Sequence, residues 1–261
     1  MLVKYVDNLT LDGAAMSKGI DLKDSSAVRR RKTRIARRVG CLSLFAALGL
    51  LTSLPGCSES DDNGDGTSKV NGSIHVAAGK PAVGVSTVNG SIHVDDNAAI
   101  TSANTVNGSV HLGSHVTATS LNSVNGSITL GAGTHASGAV SSVNGELNVG
   151  DGAEVSGGLS NVNGKITLTA AHVAEGIKTV NGSMSITGAS HVEGGILVKK
   201  PSGEFFQIVR EIPRIVIGPG ATVQGELHFE RTVQLYVSDK ATIGPVTGAT
   251  PIAFSGDNPP N

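Results

Sequence analysis

Val88-Asn89-Gly90-Ser91-Ile92-His93-Val94 is the stretch on which the reading of this chain turns. Its opening triplet recurs at Val70, Val88, Val106, Val124, Val143, Val162 and Val180, in steps of 18, 18, 18, 19, 19 and 18 residues. A period near 18 is too short for a helical-hairpin repeat and too regular for a disordered tract. It suits one winding of a β-solenoid, in which a single turn of chain cannot bury its own apolar face and must stack on the next. Alternation along the stretch places Val88, Ile92 and Val94 on one inner face, with Gly90 at a close-packed position between them. The same alternation turns Asn89, Ser91 and His93 outward. The other windings repeat the pattern with Val106, Val110 and Leu112; Val124, Ile128 and Leu130; Val162, Ile166 and Leu168; Val180, Met184 and Ile186.

A second short strand follows in each winding, seen in Val155, Val173 and Val192 and trailed by Gly157, Gly176 and Gly194. A third precedes the next triplet. Aliphatics six residues apart (Val88, Val94, Ile100, Val106, Leu112) point to three sides per winding. The expected fold is therefore all-β: a single-stranded parallel β-helix, or solenoid, with three-sided coils of about 18 residues.

Asn-Gly is elsewhere a strong hairpin signal, but the intervals here are Gly-rich and hold no second strand of comparable length. The dipeptide is expected to form a bend at the same place in each coil. Asn71, Asn89, Asn107, Asn125, Asn144, Asn163 and Asn181 then stack roughly 4.8 Å apart and can share amide hydrogen bonds as a structural ladder. The two 19-residue steps fit one extra residue in a corner.

After Gly195 the period breaks. Aligning Ser190-His191-Val192 with Ala221-Thr222-Val223 gives a step of 31 residues, one coil plus about thirteen inserted residues. Degenerate coils resume at Ile215-Val216-Ile217 and Val233-Gln234-Leu235-Tyr236-Val237. Phe205, Phe206, Phe229 and Tyr236 gather in this section and are expected to plug the open end, since terminal repeats of a solenoid are atypical. At the other end, Lys80 and Pro81 are edge-blocking residues.

Charge divides the chain. Through Cys57 ten Lys and Arg face four Asp and Glu, whereas from Ser58 onward ten face seventeen. The acidic second part argues against a nucleic-acid partner, because phosphate binding needs clustered Lys and Arg. Cys41 and Cys57 are the two cysteines, and both precede the repeats, so the coils can form neither a disulfide nor a thiolate metal site.

The basic segment Arg29-Arg30-Arg31-Lys32, with Arg34, Arg37 and Arg38, leads into an uncharged run from Val39 to Leu54. That run is short for a membrane span and fits an export signal. It ends in Leu54-Pro55-Gly56-Cys57, which resembles the lipobox of bacterial lipoproteins. The resemblance implies cleavage before Cys57 and lipidation of that residue. With Ser58 rather than Asp next, it implies an outer-membrane location. Buried acyl chains contribute roughly 0.8 kcal/mol per methylene, and two or more suffice for stable anchoring. Arg37-Arg38-Val39 is a weak twin-arginine match. Residues 1–27 precede this signal, and either translation starts later, at Met16, or the basic region is long. Ser58 to Ser68 reads as a polar, acidic, flexible tether with a root-mean-square reach of roughly 17–20 Å.

The recurring Val-Asn-Gly-Ser-Ile coil resembles bacterial adhesin-type β-helix repeats, a family of surface and envelope proteins. Ile215-Val216-Ile217-Gly218-Pro219-Gly220-Ala221-Thr222-Val223-Gln224-Gly225-Glu226-Leu227 is similar to coils of the polymer-forming bactofilins. Together the resemblances cover residues 70 to about 246. They imply a non-catalytic envelope protein, structural or adhesive, or alternatively a scaffold that assembles end to end.

His75, His93 and His111 share one outward position in successive coils and could converge on Zn²⁺ or Cu²⁺. The next coils place Thr129, Asn148 and Thr167 there, and no carboxylate is spaced to complete the shell, so these histidines are taken as solvent-facing strand residues. Asp95, Asp96, Asp151, Glu154, Glu175 and Glu193 fall in differing columns with few basic neighbours, unlike the grouped carboxylates of acid–base catalysis. No enzyme activity, metal or cofactor is expected. The expected partners are the membrane, through the lipid anchor, and an envelope or cell-surface protein, with the chain monomeric or weakly self-associating.

On this reading the chain divides into an N-terminal extension (1–27), a lipoprotein signal peptide (28–56), a lipidated cysteine with its tether (57–69) and regular coils (70–198). An insert (199–214), closing coils (215–253) and a tail (254–261) complete it.

Overall fold

A computed structural model describes residues 66–201 and 211–260. They form a β-solenoid of three parallel sheets, and no helix is present among them. The first sheet has ten strands, from Thr67–Asn71 to Val246–Thr247. The second also has ten, from Ile74–Val76 to Ile252–Phe254. The third has seven, from Thr117–Ala118 to Thr242–Ile243. Seven coils contribute a strand to each of the three sheets, and in the Val-Asn-Gly coils the chain turns at Asn-Gly from the first sheet into the second.

The register carries the period into space. Ile92 lies beside Val110, and Leu112 beside Leu130, one 18-residue winding apart. Ile128 lies beside Leu147 across a 19-residue winding. The additional residue enters at the corner between the third and first sheets. Ala118 and Leu121 are three residues apart, whereas the residues paired with them, Ala136 and Val140, are four apart. That corner is where Gly138, Gly157 and Gly158 occur. The 31-residue step likewise pairs His191 with Thr222 and Val192 with Val223.

Three inward pairs per coil build the interior. In one winding these are Ala103 and Thr105, Val110 and Leu112, and Val116 and Ala118, every one of them buried. The aliphatics lie in continuous columns, and Ile92, Ile128, Leu147, Ile166, Met184 and Ile215 run along a single one. Stacking of this kind removes each residue from water between the coils above and below it.

The valines of the Val-Asn-Gly triplets are not part of that interior. Val70 and Val88 are 44% and 37% exposed, and Val106, Val124, Val143, Val162 and Val180 are half-buried on the outer surface. Strict alternation carried through the triplet would bury them, but the chain bends at Asn-Gly and the alternation restarts after the bend. From Val88 onward the inward residue is the one before the valine: Thr87, Thr105, Ser123, Ser142, Asn161 and Thr179. Each of the first four donates its hydroxyl to the bend glycine of the preceding coil, as in Thr105 Oγ1 to Gly90 O at 3.1 Å. A buried polar column is thereby paired rather than stranded.

Two corner types explain the small residues. At the Asn-Gly bend the coils approach so closely that a Cβ on Gly108 would overlap the carbonyl of Gly90, and one on Gly126 would overlap that of Gly108. The corner between the second and third sheets needs a left-handed residue instead. Gly133 and Gly152 occupy it at φ of 63° and 65°, and Asn97 and His115 take the same conformation at 59° and 57°. A backbone hydrogen bond from Ala153 N to Gly150 O closes the turn at 3.1 Å, consistent with a positive φ at its third position.

The boundaries shift slightly from those expected. The first strand begins at Thr67, inside the expected tether, and pairs with Val85. Arg214 opens a strand, and Phe254 ends the last one rather than beginning a tail. Phe229 and Phe254 are buried, so aromatic filling is present toward the C-terminal coils. Tyr236, by contrast, lies on the outer face with the Arg214 guanidinium 4.8 Å from its ring centre. It does not act as a plug. Lys80 and Pro81 are exposed between the strands Ile74–Val76 and Val83–Asn89. Phe205 and Phe206 lie outside the described residues.

Candidate functional site

The outer side of the third sheet carries a column of titratable side chains. Its strands are two residues long: His135–Ala136, Glu154–Val155, His172–Val173 and His191–Val192. Ala136, Val155, Val173 and Val192 are fully buried, so the first residue of each strand must face solvent. Register then stacks His135, Glu154, His172 and His191 in one column. Glu154 lies between two imidazoles, with Oε2 3.3 Å from His135 Nδ1 and Oε1 4.0 Å from His172 Nδ1. The other nitrogen of His172, Nε2, is 2.9 Å from Oε1 of Glu193. The His172 and His191 rings are 5.6 Å apart, centre to centre. Side-chain ligand atoms of His172, His191 and Glu193 all lie within 4.8 Å of one another.

Glu154 and Glu193 therefore have close basic neighbours, contrary to the expectation that the carboxylates are dispersed. The sequence signal was present but divided: a histidine recurs at 135, 172 and 191 with Glu154 taking the intervening coil. The 19-residue windings blur that spacing, and the Val-Asn-Gly phase directs attention to another face.

On the second sheet His75, His93 and His111 pair in register as the period requires. A carboxylate does join them, which corrects the spacing argument. Asp95, two residues after His93 and so on the same outward face, approaches His75 Nε2 at 2.9 Å and His93 Nε2 at 3.7 Å. The His75 and His93 rings are 5.4 Å apart. Thr129, Asn148 and Thr167 continue the column beyond His111.

The asparagine column runs along the bend between the first and second sheets. Asn89 Nδ2 donates to Asn71 Oδ1 at 3.0 Å, and Asn107, Asn125, Asn144, Asn163 and Asn181 each donate to the preceding asparagine at 2.8–3.0 Å. The ladder thus has a direction, and its last acceptor, Asn181 Oδ1, receives a hydrogen bond from Arg231 Nη1. Arg231 also donates to Val180 O and Glu211 O, both at 3.1 Å. Sequence reasoning missed this cap because it comes fifty residues later, beyond the insert. A shorter ladder runs beside it, with Asn122 donating to Asn104 and Ser141 to Asn122.

The expected signal peptide and lipobox, with Leu54, Pro55, Gly56 and Cys57, lie outside the described residues. No protein-family model, curated protein or solved structure matches the chain.

Proposed function

We propose that this protein is a lipid-anchored, non-catalytic β-helix of the bacterial cell envelope, held to the outer membrane through Cys57 and acting as a structural or adhesive spacer. The observation that carries the reading is Leu54-Pro55-Gly56-Cys57 at the end of an uncharged run behind a basic segment. The solenoid begins at Thr67, ten residues after that cysteine, so lipid attachment there would tether a stack of coils directly. Ten strands spaced by the usual parallel separation make that stack roughly 45 Å long. The outer ladders stiffen it by tying neighbouring coils together along the Asn-Gly bend. The adhesin-type resemblance of the Val-Asn-Gly coils points the same way and suggests an envelope or cell-surface protein as partner. In cells, the native chain is expected to fractionate with membranes and incorporate labelled palmitate, and Cys57→Ser to lose both. A native chain that is soluble and unlabelled would overturn the reading.

The alternative is a scaffold in which coils continue from one molecule to the next. Exposed apolar side chains at the two ends of the stack, Val70 at 44% and Ile252 at 45%, favour it. Long fibres of the delipidated protein in negative stain would support this second reading over a monomeric spacer.

A further inference from the structure

We propose that the outer face of the third sheet holds a divalent transition-metal ion of the zinc class, with His172, His191 and Glu193 as its ligands. The three side chains come from two adjacent coils and are fixed at their base. His172 pairs in register with His191, and each is followed by a fully buried valine, Val173 or Val192. Glu193 follows one residue later and returns to the outer surface. Backbone placement is thus set by the stack, while the side chains remain half-exposed, with His172 at 36% and Glu193 at 48%. They can adjust without disturbing the interior.

The distances are compatible with this assignment. Zinc binds imidazole nitrogen and carboxylate oxygen at about 2.0–2.2 Å, so tetrahedral ligand atoms stand roughly 3.4 Å apart. His172 Nε2 and Glu193 Oε1 are slightly closer than that, at 2.9 Å, and the full set lies within 4.8 Å. Small rotations of two exposed side chains bring all three atoms onto one ion. Two imidazoles and one carboxylate are a recognised zinc set that leaves a fourth position for water or an incoming ligand. Nitrogen donors rank Cu²⁺ above Zn²⁺ and disfavour Mg²⁺ and Ca²⁺.

Glu154 supplies the outer support. When Nε2 of His172 binds the ion, Nδ1 is the nitrogen that carries a proton, and Glu154 Oε1 is 4.0 Å from it. A modest approach makes the carboxylate–histidine–metal arrangement that fixes a ligating ring. His135, 3.3 Å from the other oxygen of Glu154, holds that carboxylate from the far side. The cluster on the second sheet provides an internal comparison, since His75, His93 and Asp95 share the chemistry but both imidazoles are more exposed than that of His172.

The test uses chelator-stripped full-length protein titrated with Zn²⁺ in a calorimeter. One equivalent is expected to bind, with His172→Ala and His191→Ala each abolishing it and Glu154→Gln weakening it by about 10–100-fold. His93→Ala is expected to leave the affinity unchanged. Far-UV circular dichroism should match across the variants, because all the substituted side chains lie outside the core. Co²⁺ added to the unsubstituted protein should give the intense visible absorption of a tetrahedral site, a readout independent of any variant's folding. Absence of Zn²⁺ binding, binding that survives loss of both His172 and His191, or loss on His93→Ala instead would each overturn the assignment.

Discussion

Asn161 occupies a column that between Thr87 and Thr179 is otherwise filled by hydroxyls. Its Nδ2 donates to Gly145 O at 2.9 Å, as Thr105 and Ser142 do to their own glycines, but its buried Oδ1 has no hydrogen-bond partner. An unpaired buried acceptor costs about 1–3 kcal/mol. Asn161→Thr keeps the donor, removes the orphan oxygen and restores the residue type used in neighbouring coils. It is expected to stabilise the protein by about 1 kcal/mol, seen as a higher denaturant midpoint at unchanged slope. A lower midpoint would show that the larger amide is needed to fill the space. This column was not legible from alternation, because Thr, Ser and Asn next to a valine read as outward residues. Only the closeness of the bend glycines, which places a carbonyl directly opposite each hydroxyl, makes them good interior residues. The same bend moved Val88 and its equivalents to the outside. Hydropathy alone assigns both positions the wrong way round.

At the scale of strands and corners, the ladders convert a weak exposed hydrogen bond into a repeated one. Asn125 both donates to Asn107 and accepts from Asn144, each at 2.9 Å. Replacing it with alanine removes two bonds and leaves its neighbours facing water, which can satisfy them. At about 0.5–1.5 kcal/mol per bond, with exposure favouring the lower end, Asn125→Ala should cost about 1–2 kcal/mol in equilibrium denaturation. The loss should be concentrated in faster amide exchange in the coils on either side, as expected where each repeat touches only its neighbours. Uniform loss of protection across the whole stack would contradict a locally acting ladder. Strand pairing and register were legible here because the recurring Val-Asn-Gly triplet marks the same point in each winding, and the 31-residue alignment carried it across the insert. The Arg231 cap was not, since no period links Arg231 to Asn181. Nor was the His135, Glu154, His172 and His191 column, where alternate residue types and unequal windings hide a shared position.

For the molecule as a whole, a solenoid differs from a globular core in having no unique centre, and this makes its architecture testable by subtraction. The all-β, three-sided fold was the most legible property of the chain, because seven near-identical windings supply the same information repeatedly. That redundancy has a physical counterpart. Thr105 stacks on Ser123 in register, so deleting residues 106–123 joins two equivalent points of adjacent coils and leaves every later residue on its original face. Stability in such a stack is approximately a sum of repeat and interface terms. The shortened protein should therefore keep its β-rich circular dichroism spectrum and unfold at a somewhat lower denaturant concentration. Deleting residues 106–114 instead, half a winding, joins Thr105 to His115, a first-sheet position to the corner before the third sheet. Every following coil would then meet the first three with the wrong side, setting outward polar residues against the aliphatic columns. That variant should aggregate or lose its β-sheet signal and cooperative transition. If the two deletions behaved alike, stacking in register would not be what specifies this fold.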